Sequence, residues 1–550
     1  LPIEVGADDL ALGKPYTLSP RPNYSLTADE GDAVQLTDGQ TTRLLTLRDG
    51  NNMWFHKQAV GWNTVRKPVE VTIDLGGAEP IGAVTVRTAY GRAGVVQPFM
   101  MPVLVSEDGE HFFSVGDLVP NEAPPAPDSG YAEKELRLSG LNVRARYVRL
   151  VIFPGGPFVF MDEVQVLRGD DVNAAPPAGQ AVADVASFVA AHKLEWMVRR
   201  RLAIDLQQLE QLTGRPAPAP WRQAVESGDL GLAQIDLQNG LPYNALQRDI
   251  WAAIGQARVS RTPGAPPVVV QAVNPWEPVN PLDGPSTAAL SRIVVNACQG
   301  AYRSAAINIT NNTTDAVAVD VAAAMQQGGA LPAGLLEVRQ AVFVDTPSGR
   351  VISAPLAPVA FDNGQWQVDV PAGSTRQLWL TFCPQNMAPG EHALTLALKS
   401  QSPATTAAVP VTLRVFPVQF PAEKPALSTT LWDYVQPNSW YVKDPALFTP
   451  MTDMMRQYTA RNPWGCAGWL MPWPKVGEEL DREGNFVKEI DPARWAALDQ
   501  WIELWPDAEH FMFFIAATQK LPGTDFKVAT PEFDRAVAGT FKRLMDRFAM

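Results

Sequence analysis

The side chains that could do chemistry in this 550-residue chain are acids and aromatics. Its five histidines, His56, His111, His192, His392 and His510, are scattered, and none lies within metal-ligand spacing of another. Three cysteines, Cys298, Cys383 and Cys466, make neither a disulfide framework nor a metal cluster. Cys298 and Cys383 fall on strands of one predicted region, so a bridge and a pair of buried thiols both stay open. No serine sits in a nucleophile elbow, and there is no phosphate loop or dinucleotide fingerprint. Asp162-Glu163 is an adjacent carboxylate pair, but it lies in an all-β stretch. Asp433 follows a hydrophobic strand, where it either orients a ligand hydroxyl or caps its loop. Half of the sixteen tryptophans (Trp432, Trp440, Trp464, Trp469, Trp473, Trp495, Trp501 and Trp505) fall after position 426. An indole N–H is costly to bury without a partner. Trp at strand ends therefore suggests flat, stackable faces of the kind sugar-binding sites use.

The elements that must position these residues repeat. Leu427 to Val435, Gly465 to Trp473 and His510 to Thr518 read as buried strands. Each is followed by an amphipathic helix, at about Pro445–Arg461, Asp491–Trp505 and Thr530–Phe548. Strands alternating with helices of this length predict a parallel sheet of right-handed βαβ units. In a (β/α)8 barrel the C-terminal strand ends carry the active site. The substrate-binding candidates are therefore Trp432, Asp433, Trp469, Trp473 and Gln519. A barrel needs roughly 250 residues, about twice the length of chain after position 424. The reading is thus of the first three βα units of a longer barrel that continues beyond Met550, with the catalytic acids there.

A hydrophobic fraction of 46% is ample for packed cores. The net charge of −13 and pI near 5.0 disfavour nucleic acid as a partner. No apolar run reaches transmembrane length. Leu1-Pro2-Ile3 looks like the start of a mature or trimmed chain. The Ala/Pro-rich composition looks bacterial, so the sequons at Asn23, Asn308, Asn311 and Asn312 are read as chance. A secreted, periplasmic or cell-surface location is expected. Oligomeric state stays open.

Residues 1–170 alternate with period two in several short runs, such as Val69–Leu75, Ile81–Arg87 and Arg146–Ile152, separated by turns. Leu36-Thr-Asp-Gly39, Val71-Thr-Ile-Asp-Leu-Gly76, Val105-Ser-Glu-Asp-Gly109, Ala145-Arg-Tyr-Val-Arg-Leu150 and Met161-Asp-Glu-Val164 occur in that order. As a set they resemble discoidin-like jelly rolls, also called coagulation factor 5/8 type C domains, which include family 32 carbohydrate-binding modules. The resemblance implies a structural calcium held by Asp38, Glu163 and backbone carbonyls around Gln40 to Thr42. Calcium takes six to eight oxygens. The alternative is that Asp38 caps its turn and Glu163 is solvated. Ligand contacts in such modules come from loops at one end, here Trp54, His56, Trp62, Tyr90 and Arg92. A structural spacer is the alternative role.

Residues 171–262 read as a linker and a helical segment, with helices at Val182–Leu212, Trp221–Gly228 and Tyr243–Arg258. The triplet Arg199-Arg-Arg201 reads as a solvated helix face. Residues 263–424 return to strands and suggest a second sandwich. Val295 to Ser304, the hairpin Leu378 to His392 with Pro389-Gly390, and Val415 to Thr430 resemble family 123 glycoside hydrolases, a β-sandwich followed by a (β/α)8 barrel. The chain departs from that pattern at Cys298-Gln-Gly300. The resemblance implies hydrolysis of a β-N-acetylhexosaminide such as an N-acetylgalactosaminide. The substrate acetamide acts as nucleophile, an Asp-Glu pair after the fourth barrel strand serves it, and no cofactor is required. The competing reading is a non-catalytic carbohydrate-binding surface or scaffold protein.

Overall fold

The computed structural model describes residues 8–42, 53–63, 68–91, 94–98, 100–119, 131–179, 181–227, 230–346, 350–419, 427–428, 435–439, 442–515 and 520–548. The chain forms two compact units, residues 1–297 with 302–416, and residues 298–301 with 417–550.

The first unit begins with a seven-stranded antiparallel sheet. Two long strands, Val69–Gly91 and Tyr131–Ile152, dominate it. The runs 69–75 and 81–87 are therefore one strand, not two. Its register with the partner strand shifts between Asp74 and Glu79, where Gly76 takes φ 86°. That left-handed geometry suits glycine. Val71 and Ile73 before the bend, and Val84 and Val86 after it, enter one core with Val103, Leu150 and Val164. The sheet thus folds over its own apolar face as a β-sandwich does.

Helices follow at Val185–Thr213, Ala219–Ser227 and Ala245–Arg261. Asp184 caps the first by accepting from the Ser187 N–H, and left-handed Gly214 closes it onto the Glu210 carbonyl. Asn244 caps the third through the Gln247 N–H. Fully buried Asp205 ties the first and third helices together. It accepts from Arg201 Nε at 3.0 Å, Gln247 Nε2 at 2.7 Å and Trp251 Nε1 at 2.8 Å. The expectation of a solvated Arg199–Arg201 face is corrected here: Arg201 is 4% exposed, because Asp205 and Asp345 draw it inward.

The second sandwich has a five-stranded and a six-stranded antiparallel sheet. In order, the first contains Val268–Val273, Arg303–Asn311, Thr375–Phe382, Leu336–Asp345 and Val351–Pro358. The six-stranded sheet is centred on Ala404–Gln419, Gly390–Gln401 and Val317–Met325. Ile307, Leu378 and Leu380 from one sheet meet Val319, Leu396 and Leu413 from the other in a single core. The third helix docks here without intervening side chains. A Cβ at Gly373 (φ 61°) would collide with the Trp251 carbonyl. All three cysteines are free thiols.

In the second unit the described strands pair in parallel. Leu427–Ser428 pairs with Ala460–Asn462, and Trp464–Cys466 pairs with Met512–Phe514. Pro463 separates the middle two strands, and its carbonyl accepts from the Met512 N–H at 3.0 Å. The first helix, Phe448–Gln457, ends four residues earlier than Arg461. Thr459 adopts φ 71° and sends 460–462 into a strand. The second strand leaves the sheet at Cys466, since 467–470 is a helical turn, so Gly465 to Trp473 is not one strand. The later helices run Ala496–Glu503 and Pro531–Phe548. These strands form two parallel pairs rather than a closed barrel. Among the described residues no helix is long and apolar enough to cross a membrane.

Candidate functional site

Four carboxylates gather where the Asp38-Gly39 turn meets the strand Phe158–Arg168. Glu163, on that strand, is 1% exposed. Neither of its oxygens has a hydrogen-bond partner. The nearby Gly39 N–H eases its charge without closing a well-formed bond. Burial first, then the negative charges of Asp38 and Asp9, push its pKa up to about 9. Asp38 accepts from the Gln40 N–H at 2.8 Å and from Gln58 Nε2 at 2.7 Å. Asp162 is fully buried and accepts both the Thr42 N–H and its hydroxyl at 2.7 Å. Its Oδ1 is unpartnered, and Arg87 stands 3.8 Å from the Oδ2 that Thr42 binds. Burial raises its pKa against the pull of Arg87. Asp9 accepts the Ala11 and Val166 N–H groups through one oxygen, while the other is buried and unpartnered.

This geometry corrects the alternative of a solvated Glu163. A buried carboxylate with two orphaned oxygens beside further acids is unfavourable by itself. The donor set fits a hard cation with oxygen ligands. Asp38 and Glu163 would hold it together with backbone carbonyls near Gln40 to Thr42. Among the described residues no cluster of three or more His, Cys, Asp or Glu side chains has ligand geometry, so backbone oxygens would have to complete the shell. Sequence reasoning missed Asp9 and the role of Asp162. Asp9 lies far away in sequence and is brought in only by pairing with Leu167.

The aromatic candidates of this sandwich divide. Trp62 is fully buried and donates its N–H to the Pro20 carbonyl at 2.8 Å. Trp54 is 6% exposed and packs on Phe160 with ring centroids 5.9 Å apart. Both are core residues, correcting their assignment as ligand contacts: a satisfied indole N–H holds Trp62 in a strand buried at three successive positions, and the Phe160 ring holds Trp54. His56 and Tyr90 are half-buried, and Phe55 beside them is 51% exposed. Arg92 lies outside the described residues.

In the second unit, Trp432, Asp433 and Gln519 lie outside the described residues. Trp469 is half-buried on the helical turn after the strand Trp464–Cys466, with its carbonyl accepting from Asn438 Nδ2 at 3.1 Å. Trp473 is half-buried, and its carbonyl accepts from Arg494 Nη2 at 2.7 Å. Its indole N–H is buried without a partner, and its side chain packs against the buried cluster of Leu480, Leu521 and Ala536. Trp495, Trp501 and Trp505 are core side chains of the second helical segment and its C-terminal turn. Much of the Trp wealth is thus packing.

The loops after the two neighbouring parallel strands Trp464–Cys466 and Met512–Phe514 come together. They flank an open pocket of about 460 Å3, with Val476 and Arg482 on one side and Lys520, Thr524, Asp525 and Phe526 on the other. Lys520 pairs with Asp525 at 2.9 Å. Neither Trp469 nor Trp473 is among the described lining residues, although Gly523 lies against Trp473.

No protein-family description matches the chain. No curated protein matches it either. Among solved structures it is similar to a family 123 glycoside hydrolase from Clostridium perfringens, with 13% identity, a TM-score of 0.31 and 44% of this chain covered. The chain spans 45% of that hydrolase's length. It is also similar to chitosan-binding module 1 of a chitosanase/glucanase from Paenibacillus sp. IK-5, with 18% identity, a TM-score of 0.18, 29% of this chain and 97% of that one. A third similarity is to CpGH89CBM32-5 from Clostridium perfringens in complex with GalNAc-β-1,3-galactose. There the identity is 22%, the TM-score 0.18, and the coverage 28% of this chain and 93% of that one. At these TM-scores the similarities decide neither the fold nor the activity of this chain.

Proposed function

We propose that the chain is part of a secreted or cell-surface bacterial glycoside hydrolase acting on a polysaccharide or glycoconjugate. The observation that supports this is the cavity between the loops after two neighbouring parallel strands. Loops in that position build the reaction centre of a (β/α)8 enzyme. The proposed substrate is a β-N-acetylhexosaminide, cleaved with the substrate acetamide as nucleophile. One carboxylate would orient the acetamide and its neighbour would protonate the leaving oxygen. The proposal places that Asp-Glu pair after a fourth strand, beyond Met550. Trp432, Asp433, Trp469, Trp473 and Gln519 would serve substrate binding at the strand ends.

The N-terminal sandwich would recognise glycans through His56, Tyr90 and Arg92. A structural calcium at Asp38 and Glu163 would neutralise the buried acids and pin the Asp38-Gly39 turn to its strand. The second reading is a non-catalytic carbohydrate-binding scaffold. Asp525 is the one acid among the described residues lining the cavity, and its tie to Lys520 favours that reading.

Assays with aryl β-N-acetylgalactosaminide and β-N-acetylglucosaminide separate the readings. The 550-residue chain should be inactive, and the same chain joined to its downstream coding sequence should turn over. Turnover by the 550-residue chain alone would show the acids to be misplaced. Glycan binding without turnover in the extended chain would favour the scaffold.

A further inference from the structure

The outer face of the five-stranded sheet carries a row of amides. Gln271, Asn308 and Gln377 stand opposite one another on three adjacent strands. Their neighbours Ala272, Ile307 and Leu378 point into the sandwich core, so the amides point away from it. Such a row on an outer face would ordinarily be solvated. Here the segment 274–290 straps across it, and Asn308 and Gln377 are 9% and 4% exposed. Gln271 is used up by the strap. It accepts from the Ser286 N–H at 2.7 Å and donates to the Ser286 carbonyl at 3.1 Å. Asn308 is not used up. Its Oδ1 is buried and has no partner.

Asn308 and Gln377 line a cavity of about 310 Å3 beneath the strap. That is the lower end of the range for small-molecule sites, about 300–1,000 Å3. Glu277, Asp283, Ser286 and Thr287 add polar groups from the strap side, and among the described residues no Lys or Arg lines the cavity. Arg258 is near Asp283 but does not line the cavity, so the two carboxylates on its wall oppose an anionic ligand. Trp276, which lies in the strap between the lining residues Asn274 and Glu277 but does not itself line the cavity, is 78% exposed and meets Trp379 edge to face at 5.3 Å. Trp379 follows Gln377 by two positions and so shares its face of the sheet. An indole left this exposed beside a polar cavity offers a flat apolar surface to a ligand.

The cavity is built in advance. The Thr375 hydroxyl donates to the Asp283 carbonyl and the Thr375 N–H to the Pro281 carbonyl, each at 2.7 Å. Arg258 holds the Leu282 carbonyl and, at 2.8 Å, the Gly373 carbonyl. The Leu290 N–H closes the far end of the strap on Ala272 at 2.8 Å.

The geometry points to a binding site for one neutral sugar residue on the second sandwich, with Asn308 and Gln377 bonding its hydroxyls and Trp276 packing against its C–H face. Amides supply both a donor and an acceptor, which matches a hydroxyl that needs both. The site is separate from the loop cavity of the second unit and does not rest on the hydrolase reading. The burial of Asn308 also removes it as a glycosylation acceptor in the folded chain.

The intact 550-residue chain is titrated with glucose, galactose, mannose, N-acetylglucosamine and N-acetylgalactosamine, each to about 50 mM, by saturation-transfer NMR and calorimetry. At least one sugar should saturate, and Trp276→Ala should weaken it tenfold or more without shifting the melting temperature. Asn308→Ala should weaken it too. That side chain is buried, so exposed Trp276 is the deciding variant. No saturation by any of the five sugars would overturn the proposal. So would a saturating sugar whose affinity is unchanged in Trp276→Ala. Neither result depends on whether the extended chain hydrolyses a glycoside.

Discussion

Calcium should raise the melting temperature of the N-terminal sandwich, and more so at alkaline pH. Without a cation, folding lifts the Glu163 pKa from its ordinary 4.5 to about 9. The unfolded chain ionises this group above 4.5, while the folded chain keeps it protonated up to about 9. Its contribution to stability is therefore fully present below 4.5 and is lost as pH climbs towards 9. The loss is at most about 1.4 kcal/mol per pH unit, or about 2.7 kcal/mol between about pH 6 and pH 8. Relaxation and water entry reduce that figure. Burial raises Asp9 and Asp162 in the same direction. A bound cation reverses the sign, because it needs the carboxylate ionised. At about a hundred times its dissociation constant it adds about 2.7 kcal/mol. For a domain of about 150 residues this lifts the transition by roughly 5–10 °C. Calorimetry of the intact chain in chelator and in calcium, at pH 6 and pH 8, reads the effect. Glu163→Gln should abolish the calcium response, flatten the pH dependence, and be at least as stable as the parent in chelator at pH 8. A transition indifferent to chelator and calcium at both pH values would refute the reasoning.

Further outcomes can be measured by denaturant or thermal unfolding. Trp62→Ala should destabilise the N-terminal sandwich by about 3–5 kcal/mol, since it empties a fully buried site. Asp205→Ala should cost about 3–5 kcal/mol, because it leaves the Gln247 and Trp251 donors unpaired and Arg201 with only Asp345 at 3.6 Å. An unchanged midpoint would show that water replaces it. Gly373→Ala should cost about 3 kcal/mol or more, through both its left-handed backbone and the collision with Trp251.

The sandwich strands were legible where burial alternates cleanly, as in Val69–Leu75 and Val317–Ala323. Val351–Pro358 was not, because Pro355 and Pro358 read as breaks, yet the strand lies at a sheet edge where proline is tolerated. The strand Ala460–Asn462 was hidden because Phe448–Arg461 keeps a helical pattern until Thr459 breaks it with a positive φ. The pairing of Asp38 with Glu163 came only from the resemblance to discoidin-like jelly rolls. The unpartnered amide of Asn308 was not legible, because its burial depends on a strap that forms only when the sheet does. The loop assignment drawn from the jelly-roll resemblance misled at Trp54 and Trp62, since residue type does not separate a stacking face from a core ring.

The most direct test of the hydrolase reading is aryl β-N-acetylgalactosaminide turnover by the chain joined to its downstream coding sequence, with and without a thiazoline mimic of the acetamide intermediate. The account predicts turnover that the thiazoline inhibits. Turnover insensitive to the thiazoline would contradict the acetamide nucleophile, and glycan binding with no turnover would contradict the hydrolase itself.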